Sequence, residues 1–285
     1  MQKVAVITDS ISCLSLELAE SYGIGIVPIR LLVQGKVYRD LVDMTPSQAY
    51  ELFLQDPDSF NTSPASPGHY LEAYREASTR ANSILCVTLS SRLSTGYDMA
   101  RVAKEQAETQ LPGLPIEVLD SQSVTAAEGF IALAGARAAA EGKDLAEVVK
   151  VAEKVRDKVT WVMLLDTIRY VYRTGRIPKV AASIGSMLKI RPILTSTSGL
   201  VRLKGIARKR EQGINRLLQI MGEKVGQNPA HVAVMHAYAT DEGEKLKERI
   251  SSEFNCAELW LAELSPVMGY ACGTGTVGVA FYCGD

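Results

Sequence analysis

Short apolar runs alternate with helically spaced segments along the first half of the chain. Residues 4–7, 83–89 and 116–119 are compact apolar runs that end at polar residues, the mark of buried strands, and residues 24–33 are apolar and extended. Residues 14–22 carry helical spacing instead. Thr45-Pro46-Ser47-Gln48 reads as a capping box with proline at the first helical position, predicting a helix through Phe53. Ser66-Pro67 repeats that start signal and opens a helix near 68–78, and Ser94 opens one reaching about 108. Alanine-rich helices follow over about 124–141 and 145–157. Strands alternating with helices imply a parallel sheet covered on both faces.

The second half has a different pattern. Residues 160–164 predict a strand, 167–172 a short helix and 180–187 another. Residues 190–194 and 200–206 are extended and flank the turn cluster Thr195-Ser196-Thr197-Ser198-Gly199, which predicts a hairpin. A helix over 210–225, a strand over 231–236, a helix over 241–251 and strands over 257–261 and 276–282 complete the series. Hairpins among helices predict a mixed sheet. The expected fold class is therefore α/β with two domains: an N-terminal parallel-sheet α/β domain over 1–158 and a C-terminal α/β domain with a mixed sheet over 159–285. No repeat or low-complexity linker separates them, so close packing is expected.

Composition narrows the function. The chain has 285 residues and is 47% hydrophobic, enough for a large core and an internal apolar pocket. A formal net charge of −1 provides no basic field for nucleic acid. The N-terminus enters a strand-like segment directly, with no secretory apolar region, and no uninterrupted apolar run of about 18 residues predicts a membrane span. The five cysteines (Cys13, Cys86, Cys256, Cys272, Cys283) are scattered and form no CxxC pair, which argues against a zinc ribbon or a disulfide framework. A cytoplasmic monomer is expected.

Two hydroxyl-rich segments carry the candidate chemistry: Asn61-Thr62-Ser63-Pro64-Ala65-Ser66-Pro67 and Leu89-Ser90-Ser91-Arg92-Leu93-Ser94-Thr95-Gly96. Each sits where an extended run gives way to a helix. There, side-chain hydroxyls and free helix-start amides converge on an anion. They offer donors and no base to activate a nucleophile, so no catalytic residue and no metal ligand is expected among them. Turn and cap roles account for Thr62, Ser63, Ser66 and Ser94 as well, from the residues alone. Thr8-Asp9-Ser10 follows the first strand, where α/β proteins place ligands. That keeps open an enzyme acting on a small phosphorylated metabolite through Asp9 and the hydroxyl motifs. No second acidic cluster completes a metal site, however, and a capping role for Asp9 fits equally. His69 reads as a surface residue, and His231 and His236 bracket an apolar strand as structural histidines do. The glycine pattern Gly273-Thr274-Gly275-Thr276-Val277-Gly278 precedes a strand and not a helix, which discounts a dinucleotide site. Arg169, Arg173, Arg176, Lys179, Lys189 and Arg191 form a loose basic stretch that suits a solvated face or a docking patch.

Five segments together resemble the DegV family, in order and in spacing across almost the whole chain. They are Ile7-Thr8-Asp9-Ser10, Thr62-Ser63-Pro64-Ala65-Ser66-Pro67, Ser90-Ser91-Arg92-Leu93-Ser94-Thr95-Gly96-Tyr97, Tyr172-Arg173-Thr174-Gly175-Arg176-Ile177 and Gly273-Thr274-Gly275. This fatty-acid-binding family includes the FakB-like subunits of bacterial fatty acid kinase. The resemblance implies two α/β domains with a long-chain fatty acid such as palmitate in an apolar tunnel between them, and no other cofactor. Carried over, the carboxylate-binding hydroxyls are Thr62 and Ser94, with Ser63 and Thr95 as neighbours. Arg176 and Arg208 correspond to arginines that face the fatty acid kinase catalytic subunit. Three departures stand out. Ser94-Thr95-Gly96 replaces the usual Ser-Gly-Thr, Thr174 replaces a glycine, and Ala271-Cys272 stands where a histidine is common.

Overall fold

The computed structural model describes residues 2–176 and 190–284. The chain forms two compact units, Met1–Met44 with Asn61–Asp157, and Thr45–Phe60 with Lys158–Asp285. The first unit begins β1 (Ala5–Asp9), a 3-10 turn (Ser10–Ser12), α1 (Leu16–Ser21), β2 (Gly25–Val27), β3 (Arg30–Val33) and β4 (Lys36–Arg39). After α2 (Pro46–Gln55), which belongs to the second unit, come β5 (Phe60–Ser63), α3 (Pro67–Ser78), β6 (Ile84–Thr88), α4 (Gly96–Gln110), β7 (Ile116–Asp120), α5 (Thr125–Ala140) and α6 (Leu145–Lys158).

Four strands pair in parallel in the order β2-β1-β6-β7, and β4-β3-β5 form a small separate sheet. The apolar stretch 24–33 is two strands, interrupted at Pro28, which has no N–H for a ladder. β4 is mostly exposed and so lacks the apolar signature of a strand. Its only signal is the Gln34-Gly35 turn, with φ of 49° and 79°, as a tight hairpin requires. The alanines of α5 have a packing reason. The helix is buried along nearly its whole length, and a Cβ at Gly135 would stand 3.0 Å from Leu85 on one side and 3.7 Å from Val148 on the other.

The second unit continues with β8 (Thr160–Leu164), α7 (Arg169–Arg173), β9 (Arg191–Thr197), β10 (Leu200–Ala207), α8 (Arg210–Val225), β11 (Ala230–His236), α9 (Thr240–Glu253), β12 (Cys256–Glu263), α10 (Pro266–Cys272) and β13 (Val277–Cys283). Its six-stranded sheet runs β10-β9-β8-β13-β11-β12; β11 and β12 are parallel and the other neighbours antiparallel. The mixed sheet and its hairpin follow the sequence pattern. Val162, Leu164, Leu217, Met221, Val234 and Phe281 lie in its core. The helix expected over 180–187, together with Ile177, Lys179 and Lys189, lies outside the described residues.

The segment Thr45–Phe60 groups with the second unit, whereas the sequence pattern put all of 1–158 in the first. Its aromatic side chains decide this. The Tyr50 hydroxyl donates to Leu264 O at 2.7 Å, and Phe53 packs on Tyr170 with ring centroids 5.2 Å apart. Amphipathic spacing tells that a helix is covered, not which sheet's helices cover it. α10 carries the same Ser-Pro start signal as α3: Ser265 Oγ accepts from Val267 N at 3.2 Å.

Candidate functional site

In the parallel sheet, the chain passes from β1 to β2 on one side and from β6 to β7 on the other. The carboxyl ends of β1 and β6 therefore flank a topological switch point, where open α/β sheets leave a ligand crevice. The third hydroxyl motif is the loop leaving β6. Leu93 N and Ser94 N both donate to Ser90 O, at 3.0 and 3.2 Å, and Ser94 Oγ accepts from Gly96 N at 3.2 Å. The helix thus starts at Gly96, two residues later than expected. Ser94 spends a lone pair on that turn, and its O–H donates to no group among the described residues. Thr95 is exposed and its side chain makes no cap bond. Asp120 pins the loop to the end of β7, accepting from Ser91 N at 3.1 Å, Ser91 Oγ at 2.5 Å and Gln122 N at 2.9 Å.

The second motif spans the end of β5 and the start of α3. Ser66 caps α3 in a box closed by His69, whose Nδ1 lies 3.1 Å from Ser66 Oγ, so His69 is a capping residue. Ser63 Oγ accepts from Arg30 Nη2 at 2.8 Å and donates to Pro64 O at 3.3 Å, which uses its proton inside the fold. Arg30 also donates to Pro64 O through Nε and Nη2, at 3.2 and 3.0 Å. Sequence spacing misses this arginine; its one signal is a cation on an otherwise apolar strand. Thr62 is half-buried, and its N–H donates to Asn61 Oδ1 at 2.8 Å.

The helix starts fed by the two motifs meet. A Cβ at Gly96 would stand 3.4 Å from the Tyr70 hydroxyl, in the first turn of α3, and 3.7 Å from Ser94 Oγ. One turn on, the Tyr74 hydroxyl donates to Ala100 O at 3.0 Å. Glycine at position 96 admits Tyr70, a physical reason for the Ser-Thr-Gly order.

Asp9 lies at the carboxyl end of β1 and is wholly buried. Oδ1 accepts from Ile11 N at 2.9 Å and Oδ2 from Leu89 N at 3.1 Å. Wholly buried, it presents no oxygen to a metal or a phosphate from solvent, and the described residues hold no group of three His, Cys, Asp or Glu placed for a metal. Glu128 on α5 is likewise wholly buried, with Oε1 accepting from Thr8 Oγ1 at 3.0 Å, and the two carboxyls shift each other's protonation. Burial pushes Asp9 up from 3.8 to about 6, and burial with the neighbouring Asp9 charge drives Glu128 well above its ordinary value. A carboxyl raised in the folded state binds its proton there first, so its contribution to stability is full below 3.8 and is lost as pH rises through about 6.

In the second unit, the exposed Arg176 donates through Nη1 to Thr174 O at 2.8 Å, and Arg208, also exposed, accepts from Arg191 Nη1 on its carbonyl at 3.3 Å. The other described arginines of the basic stretch are paired. Arg169 and Arg173 meet Asp58 at 3.1 and 2.9 Å, and Arg191 and Arg210 meet Asp166 at 3.1 and 2.7 Å. Cys272 is buried and its thiol is pushed up to about 12, so it supplies neither thiolate nor imidazole-like donor. His236 is buried, with its pKa lowered by desolvation, and His231 Nδ1 meets Glu258 at 2.6 Å. Gly273 and Gly275 have φ of 82° and 80°, and a Cβ on either would collide with Tyr170 or Asp166. They are a tight turn into β13 and not a phosphate loop.

The model of the DegV family of uncharacterised proteins matches residues 3–283. A DegV domain-containing protein of Clostridium perfringens is 32% identical over 280 residues, covering 98% of each chain. Among solved structures, a DegV family protein from Thermus thermophilus, described by its fatty acid binding, aligns with a TM-score of 0.90 at 26% identity over 99% of this chain and 100% of its own. A stearic-acid-binding protein from Eubacterium ventriosum aligns with a TM-score of 0.90 over 99% and 98%. At 24% identity, that second likeness is one of fold.

Proposed function

Because this chain belongs to the DegV family, we propose that it binds a long-chain fatty acid, its carboxylate on hydroxyl donors and its acyl chain in an apolar tunnel. The observation that carries this is the convergence of the two hydroxyl-bearing helix starts at Tyr70 and Gly96, with the Ser94 proton unspent. Thr62 and Ser94 are the donors; Thr95 stands beside them, and Ser63 holds Arg30 in place. The energetics decide what the head group needs. An unpaired buried carboxylate costs several kcal/mol, whereas each hydrogen bond to a charged group returns about 1.5–3 kcal/mol. Two or three donors therefore hold it.

Replacing Ser94 or Thr62 with alanine should weaken palmitate binding by about 1–3 kcal/mol in calorimetry while leaving the fold intact. Unchanged affinity in both variants would remove the two residues from the site. Mass spectrometry of an organic extract of the purified protein gives the direct check on a bound lipid.

The protein acts, on this reading, as a cytoplasmic monomer that presents the acyl carboxylate to a fatty acid kinase catalytic subunit. The exposure of Arg176 and Arg208 supports a partner-facing role. Arg176→Ala and Arg208→Ala should leave palmitate binding intact and abolish acyl-phosphate formation with the host's kinase subunit. Equal product from both variants and the unaltered chain would sink the kinase role and leave the binding role standing.

A further inference from the structure

We propose that Asp9 and Glu128 are a carboxyl pair sharing one proton, and that the pair positions the 89–95 loop for an anionic head group. The inference rests on the fatty-acid reading for what the loop holds, and on geometry for how the loop is held. Thr8, Asp9 and Glu128 are all fully buried. Thr8 Oγ1 donates to Glu128 Oε1 at 3.0 Å, and Glu128 Oε2 accepts no hydrogen bond among the described residues. Asp9 accepts two backbone N–H bonds. Two neighbouring carboxyls in a wholly buried site cannot both ionise, so one proton stays. The group with two N–H donors takes the charge, and the group with an unserved oxygen keeps the proton.

The charge on Asp9 does positional work at Leu89 N. Leu89 opens the loop, Ser90 N then donates to Ser123 O at 2.9 Å, and Ser90 O accepts from Ser94 N at 3.2 Å. Ser94 is thus placed through a short chain of backbone bonds that begins at Asp9. The groups facing the pair from other elements are Asp40, Tyr70 of α3 and Cys86 of β6. Burial drives the Tyr70 hydroxyl well above its usual range and pushes the Cys86 thiol up to about 12, so both stay neutral. None of the three is a cation, so among the described residues named against the pair no counter-charge holds Asp9 ionised at low pH.

Acidification through about pH 6 should therefore have two opposite effects. The folded state gains stability because a buried charge is removed, and the loop loosens because Leu89 loses a charged acceptor. Positioning residues carry this trade at functional sites.

The experiment measures three things from pH 5 to 8: the urea midpoint, hydrogen-exchange protection at the Leu89 amide in ligand-free protein, and palmitate affinity. Affinity is read as the ratio of the unaltered protein to Asp9→Asn, which cancels the ligand's own titration. From pH 7 to 5 the unaltered protein should lose roughly tenfold in Leu89 protection and in that ratio, while its urea midpoint rises. Asp9→Asn should show low protection at every pH. Glu128→Leu should lower protection, and Glu128→Gln, whose amide still donates to Asp9, should restore it. Leu89 protection that is flat with pH and unchanged in Asp9→Asn overturns the proposal, whether or not Glu128→Leu folds. If protection behaves as stated but palmitate does not bind, the fatty-acid reading fails and the positioning pair stands.

Discussion

Lengthening a fatty acid from eight to sixteen carbons should tighten its binding by up to about 6 kcal/mol, roughly four orders of magnitude in Kd. Each buried methylene contributes about 0.8 kcal/mol, and the head-group contacts are the same along the series, so the increment isolates the proposed tunnel. Beyond the length that fills it, added methylenes force overpacking of 1–3 kcal/mol and affinity should turn down. The break point measures the tunnel. A fluorescent-displacement series over even chain lengths is sufficient. A flat response from eight to eighteen carbons would leave the hydroxyl motifs as an anion site with no acyl chamber behind it. Head-group variants act differently: Ser94→Ala should shift every member of the series by the same amount and leave the slope untouched.

A split between local and distant contacts governs what the sequence reveals of this fold. The hydroxyl motifs were legible because helix starts obey local rules. Thr45, Ser66 and their neighbours satisfy the first-turn amides through side chains a few residues away, and the structure closes both capping boxes. Strands with apolar runs, such as β1, β6 and β8, were legible for the same local reason. What stayed hidden depends on contacts distant in sequence. Arg30 meets Ser63 and Pro64 across more than thirty residues, and Glu128 meets Thr8 across 120. Glu128 lies in an alanine-rich helix, and nothing local says that its carboxyl faces another acid. Likewise the attachment of 45–60 to the second unit rests on where Tyr50 and Phe53 find partners, Leu264 and Tyr170. The family resemblance named the motifs and the expected hydroxyls, but it carried no information on Ser63 spending its proton within the fold.

Gly129→Ala should lower the stability of the protein by about 2–3 kcal/mol, although alanine is the better helix former by roughly 1 kcal/mol. A Cβ at this position would stand 2.5 Å from Ser12 O and 3.1 Å from Leu14 Cδ2. The first contact decides the sign. Ser12 O is backbone, in a turn whose start is held by Asp9 Oδ1 on Ile11 N, and it has no free rotation by which to yield. Gly135 in the same helix is the control. Its Cβ would meet Leu85 Cδ2 at 3.0 Å, a side-chain end that yields by a few tenths of an ångström. Gly135→Ala should therefore cost markedly less than Gly129→Ala in urea denaturation, despite equal helix propensity. The same displacement would reach the head-group loop. Pushing the Ser12 turn off α5 moves Asp9 relative to Glu128, the residue before Gly129, and so weakens the hold on Leu89. Gly129→Ala should accordingly lose Leu89 amide protection at neutral pH, and Gly135→Ala should keep it. Equal costs for the two variants, or a gain at Gly129, would show that the turn and the helix do not approach as closely as the Ser12 contact requires.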